Sequence, residues 1–165
     1  MKEPMNVGLG EQAIGRSPED ILVAYGLGSC VGVAMIDPVS KVSGLLHAVL
    51  PRSKDGLQTG ETSASKYVES GIESLIAALV KEGAHKNRLA AYLVGGANML
   101  ISPGMTHSFD IGTRNIEAAY STLNHLKIPV SAAEVGGHLG RTVRVYVADS
   151  RVTVRVAGEK EHEIF

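Results

Sequence analysis

"ILVAYGLGSCVGVAMIDPVSKVSGLLHAVLP" (residues 21–51) decides how this chain folds. Three apolar runs, 21–28, 31–37 and 42–51, are separated by two short breaks. The first break lies in "GLGSC" (26–30), where two glycines and a serine precede the chain's one cysteine. The second, "DPVSK" (37–41), has Pro38 placed to start a tight turn. Pro51 stops the third run. Runs of this length, apolar on both faces, predict interior strands of a sheet covered on both sides. The turn folds the third run back against the second. Counting outward from a turn centred near Val39 and Ser40 sets residue 47 opposite about residue 32. His47 is thereby brought within reach of Cys30.

The flanks extend this pattern. "MNVGLGEQAI" (5–14) reads as short, glycine-punctuated strands, and Ser17-Pro18 marks a turn. "RSKDGLQTGET" (52–62) reads as a mobile polar loop. The period then changes. Ala64, Tyr67, Val68, Gly71, Ile72, Leu75, Ile76, Leu79 and Val80 fall on one helical face. Ser63 or Thr62 caps its start, and Gly83 lies just past its end. "LAAYLVGG" (89–96) reads as a buried strand and "ANMLISPGMTHSFD" (97–110) as irregular. Thr113 opens a second helix with Ile116, Ala119, Tyr120, Leu123 and Leu126 on one face, ended by Pro129. "VSAAEVGG", "RTVRVYVAD" and "RVTVRVAG" follow. The last two alternate like a half-exposed antiparallel hairpin joined at Asp149-Ser150. Strands dominate, with two helices inserted among them. The pattern is an α+β layered domain rather than a regular βαβ winding, and residues 1–165 suit a single domain.

Composition narrows the function. The chain is 44% apolar and 20% charged, with a formal net charge of −1. Arg141, Arg144, Arg151 and Arg155 are scattered rather than clustered in a run, which argues against a dedicated nucleic-acid binder. No apolar run approaches the ~18 residues of a membrane span, so the chain is not expected to insert in a membrane. The first ten residues lack the apolar stretch of a signal peptide. A single cysteine forms no internal disulfide and suits a reducing compartment, so the expected location is cytoplasmic. It also excludes a Cys₂ or Cys₄ zinc site.

A nucleophilic cysteine needs access, a base and donors for an oxyanion. Gly26 and Gly28 have no Cβ and let a substrate approach the main chain. The N–H groups of Cys30 and Ser29 are candidate oxyanion donors. Of the six histidines, His107, His125, His138 and His162 lie near polar or turn residues, and His85 follows a helix end. His47 alone sits mid-strand, on the face shared with Leu45 and Val49, and is the candidate base. The competing reading is a core thiol and a satisfied core histidine, because free cysteine is among the most buried residue types.

Other signals are weaker. "GLGSCV" resembles the start of a dinucleotide-binding G-x-G-x-x-G, but Val31 stands at the third glycine and a strand follows. His138 in "GGHLG" has no ligand-spaced partner, so no metal site is expected. The apolar helix face from Ala64 to Val80 is core.

"LGSCVGVAMIDP", "GLLHAVLP", "SKYVES", "LVGGANML", "IGTRNIEA" and "VGGHLGRTV" together, in this order, resemble the chemoreceptor glutamine deamidases, the CheD family. The resemblance runs from about Asn6 to Val156. It implies a layered α/β sandwich whose mixed, mostly antiparallel sheets carry two main helices. It also implies a cysteine-hydrolase site with Cys30 as nucleophile and His47 as general base and acid, and no metal or organic cofactor. The expected reaction converts receptor glutamine to glutamate, with glutamate methyl ester hydrolysis as a side activity. The family's third member is a threonine six residues before the cysteine, where this chain has Ala24. Tyr25 and Ser29 are candidate substitutes. Asn98, Arg114, Asn115 and Arg141 match family motifs, and tying loops to helix ends explains them as well as substrate contact does; Asn98 is retained as a candidate support for the site. The implied partners are methyl-accepting chemotaxis receptors and a CheC-type CheY-phosphate phosphatase. Two rival readings stand beside this one. The first is a weakly active or non-catalytic module that binds the phosphatase or the receptor. The second is a cysteine peptidase or another amide hydrolase.

Overall fold

The computed structural model describes residues 2–53, 63–98 and 110–165. The most heavily buried strands are Val31–Asp37 and Val42–Ala48, in both of which every residue is buried. They form an antiparallel hairpin with Gly32 opposite His47, the register obtained by counting from the turn. In chain order the strands are β1 (Met5–Asn6), β2 (Glu11–Gly15), β3 (Ile21–Leu27), β4 (Val31–Asp37), β5 (Val42–Ala48), β6 (Ala90–Gly95), β7 (Val130–Val135), β8 (Arg141–Tyr146), β9 (Arg151–Val156) and β10 (His162–Ile164). Two helices, α1 (Val68–Lys81) and α2 (Ile111–His125), are inserted among them.

Two five-stranded sheets form, ordered β2-β5-β4-β6-β7 and β1-β3-β8-β9-β10. Each is mixed: β6 pairs with β7 in parallel, as β1 does with β3, and the other pairs are antiparallel. The alternation of side chains along β4 and β5 divides the interior in two. Val31, Val33, Met35, Leu46 and Ala48 pack against α1 and α2. Ala34, Ile36 and Leu45 pack against the second sheet, with Leu22, Leu27, Val143, Val145, Val152 and Val154. The layers are therefore helices, sheet, sheet. A strand covered on both faces has no polar side, which is why these runs lack alternation. On the second sheet β8 alternates, with Val143 and Val145 buried and Thr142, Arg144 and Tyr146 half-buried, whereas Val152, Thr153 and Val154 of β9 are all buried. No described helix is long and apolar enough to cross a membrane.

Three expectations change. The first helix starts at Val68 rather than near Ala64: residues Ala64–Lys66 form a separate 3-10 turn that Ser63 caps. Tyr67 between them is extended and bridges in parallel to Leu50, which breaks the helical hydrogen bonding. The second helix begins at Ile111, two residues before Thr113, with Asp110 as N-cap and paired to Arg114 at 3.1 Å. Strand β10 is an addition; only Ile164 of its three residues is buried, so it has little apolar signal. Thr62, His107 and most of the two segments read as loop and as irregular lie outside the described residues.

Candidate active site

Cys30 lies where β4 begins, at the end of a bend over residues 28–30. The bend follows a bulge in β3: Ala24 pairs with Val143 and Leu27 with Arg141, so one extra residue is accommodated between them. Gly26 takes the positive φ (60°) that this requires. The three carbonyls of the bend are all held. Gly28 accepts from the Ala97 N–H at 2.8 Å, Ser29 from the Asn115 side-chain amide at 2.8 Å and Cys30 from the Gly96 N–H at 2.8 Å. The N–H groups of Ser29 and Cys30 have no backbone partner among the described residues. The Cys30 side chain joins the apolar layer between the sheets and is 9% exposed. The thiol is thus more enclosed than an open, glycine-lined turn suggests. Burial pushes its pKa above the ordinary thiol value, and its own backbone N–H offsets part of that rise.

His47 is 3% exposed. It lies opposite Gly32, and the strand alternation points it into the same layer as Leu45 and Cys30. Gly32 has no Cβ; a Cβ there would meet Leu27 Cδ1 at 3.0 Å and Val143 Cγ1 at 3.2 Å. The cysteine precedes Gly32 by two residues and so stands diagonally across the ladder from the histidine, with no hydrogen bond between the two side chains.

His47 Nδ1 is 2.9 Å from the carbonyl oxygen of Val7. A carbonyl only accepts, so Nδ1 carries a hydrogen, and in the neutral ring Nε2 carries the lone pair. Nε2 is buried and has no hydrogen-bond partner among the described residues. A buried imidazole nitrogen without a protein partner is open to a water or a substrate group. Val7 follows β1 and its N–H donates to Val23 O at 2.8 Å, while the Gly8 N–H, in the same peptide group as the Val7 carbonyl, donates to Glu11 Oε1 at 2.7 Å, so the carbonyl that orients the ring is itself held. Sequence reasoning missed Val7, because the group that acts is main chain and any residue type supplies it.

Ala24 is fully buried in the layer between the sheets. Tyr25 does not take up the threonine's place. It falls in the bulge, is 50% exposed, and has the Arg144 guanidinium 5.6 Å from its ring centroid. Ser29 contributes its carbonyl to Asn115. Asn98 acts as a staple: its side chain donates to Thr113 Oγ1 at 3.0 Å, its N–H to Gly137 O at 2.9 Å, and its carbonyl accepts from His138 Nδ1 at 2.9 Å. Arg141 donates to Gly136 O at 2.8 Å. The matching motifs therefore tie the loops around the bend together.

Gly95 is the tightest point of this frame. Its φ is +106°, and a Cβ there would overlap the carbonyl oxygen of Cys30. Gly95→Ala is expected to cost about 2 kcal/mol or more, from backbone strain and the collision. A urea titration checks this, and a loss under about 0.5 kcal/mol would mean that the bend yields freely.

Comparison with known proteins places the chain. Residues 49–156 match the family model described as CheD chemotactic sensory transduction. A protein of Symbiobacterium thermophilum named "Probable chemoreceptor glutamine deamidase CheD" is 43% identical over 158 residues, covering 96% of this chain and 95% of that one. Proteins with the same name from Caldanaerobacter subterraneus and Pyrococcus abyssi are 40% and 39% identical, and each alignment covers 93% of the relative. The chain belongs to the CheD family.

Proposed function

We propose that this protein is a chemoreceptor glutamine deamidase in which Cys30 is the nucleophile and His47 the general base and acid. The observation that carries the reading is the partnerless Nε2 of His47, in the layer that also holds the chain's one cysteine. The names of the full-length relatives supply the substrate class.

The chemistry follows from the protonation states. Nε2 takes the thiol proton as sulfur attacks the glutamine side-chain carbon, and the amide oxygen becomes an oxyanion. The N–H groups of Cys30 and Ser29, without a backbone partner among the described residues, are its donors. The tetrahedral intermediate collapses as Nε2–H protonates the departing nitrogen, releasing ammonia and leaving a thioester. Nε2 then removes a proton from water, which attacks the thioester. Sulfur leaves, regains its proton from the ring, and glutamate is released. Ala24 is accommodated because the Val7 carbonyl performs the orienting task that a hydroxyl would otherwise serve. A glutamate methyl ester has the same acyl centre, so the site also accommodates ester hydrolysis. The reaction needs no cofactor, and the protein acts on the cytoplasmic part of the receptor. A CheC-type phosphatase is the second partner proposed, from family membership alone.

The test is incubation of purified receptor cytoplasmic fragment with the protein, read by peptide mass spectrometry and ammonia release. The expected result is glutamine-to-glutamate conversion, absent with Cys30→Ala. Chain cleavage would favour a peptidase. Equal conversion by Cys30→Ala would end the proposal, and binding without conversion would favour the regulatory module.

A further inference from the structure

Asn115 is fully buried on the second turn of α2. Its side-chain nitrogen donates to Ser29 O at 2.8 Å and to Val49 O at 3.0 Å. Both amide hydrogens are therefore used. Its Oδ1 is buried with no partner among the described residues, so what holds the residue in the core is the two bonds it donates. Exchanging Oδ1 and Nδ2 would set an oxygen against two carbonyls, so the orientation is determined.

The two acceptors are not ordinary loop positions. The β4–β5 ladder ends at the pair Val31 and Ala48. The next pair outward would be Cys30 and Val49, and there the bridge is Asn115 instead. Val49 is two residues beyond His47. Ser29 O and the Cys30 N–H belong to one planar peptide group, so holding the oxygen sets the direction of the N–H. The Gly96 N–H holds the peptide on the other side of Cys30. Helix α2 reaches this position because Gly112 lets its first turn approach the backbone; a Cβ there would meet the Ala97 and Gly96 carbonyl oxygens at 2.5 Å each.

We propose that Asn115 is a positioning residue of the deamidation: it aims the Cys30 N–H at the developing oxyanion and fixes the Cys30 bend relative to the His47 strand. This rests on the reading that Cys30 and His47 perform the chemistry. Asn115 touches neither substrate nor sulfur and acts through two main-chain oxygens.

Asn115→Ala is compared with Asn115→Gln, which restores an amide, and with Asn115→Ser, which keeps one donor should the alanine variant not fold. Three quantities are read on folded protein: kcat and KM on the receptor fragment, the pH profile of iodoacetamide alkylation, and the melting temperature. Cys30 is the only cysteine, so alkylation reports it alone. In Asn115→Ala, and more weakly in Asn115→Ser, kcat falls by about 10²-fold with KM within about twofold. The alkylation profile moves to higher pH, because the Cys30 N–H, which also favours the neighbouring thiolate, is no longer held in place. Asn115→Gln recovers at least part of kcat. If kcat falls only with the folded fraction and the alkylation profile overlays wild type, the inference is overturned while the Cys30 mechanism stands. If Cys30→Ala keeps activity with Asn115 intact, the mechanism fails and the inference with it.

Discussion

His47→Ala slows glutamine deamidation by about 10³- to 10⁴-fold while leaving a folded protein. The size follows from the state of the thiol. Burial holds Cys30 above the ordinary thiol value, so at neutral pH the sulfur is protonated and a weak nucleophile. A proton acceptor must act in the same step, and Nε2 of His47 is buried, unpartnered and in the same layer. The lost group leaves the Val7 carbonyl without a partner, at a cost of about 1–3 kcal/mol, so rates are measured well below the melting temperature. Cys30→Ala is at least as severe. The two residues act as a unit, so Cys30→Ala/His47→Ala is no slower than Cys30→Ala alone. Single-turnover ammonia release reads all three. A His47→Ala rate within about tenfold of wild type would remove the imidazole from the proton path.

The second large effect concerns stability, at the opposite end of β4. Asp37 is fully buried at the strand's last position. It accepts from the N–H groups of Val39 at 3.0 Å, Ser40 at 3.3 Å and His85 at 2.8 Å, and pairs with Arg88 Nη2 at 2.9 Å. It thus fastens the β4–β5 turn to the segment that follows α1. Burial alone would push this carboxyl up. The bonds from Arg88, His85, Ser40 and Val39 outweigh burial and hold it well below the usual carboxylate range. Asp37→Ala strands three N–H donors and is expected to cost about 3 kcal/mol. That corresponds to a drop of roughly 6–12 °C in melting temperature for a chain of this size. The depressed folded-state value means that the stabilisation is complete above the unfolded-state pKa of about 4. It is lost as pH falls through the folded value. Asp37→Asn therefore flattens the loss of stability below about pH 4. Asp20 and Glu161, both also lowered, keep part of the slope. A variant within about 1 kcal/mol of wild type by urea titration would show that Asp37 is dispensable.

What the sequence made legible follows where side chains meet side chains. Strands β4 and β5 were readable because both faces are buried, and their register because a turn at Pro38 joins them directly. Helix starts were obscured where tertiary contacts override spacing. The Leu50–Tyr67 bridge takes a turn from α1, and Gly112, a poor helix former, sits in the first turn of α2 because backbone lies against it. At the site, Cys30 and His47 could be brought to one layer by counting. The carbonyls of Val7, Ser29 and Val49 could not, since main-chain acceptors look alike in every residue. Asn115 matched a motif, but its two bonds join segments 86 and 66 residues away, which no local pattern reveals.

The contact between Val7 O and the imidazole has a wider consequence. Strand β1 has two residues and borders β3 alone. Should that strand peel away, the ring loses its tether and Nδ1 and Nε2 can exchange their proton. On the proposed mechanism, catalytic competence is tied to the docking of one short ribbon rather than to the melting of the whole domain, and it is lost while both cores remain intact.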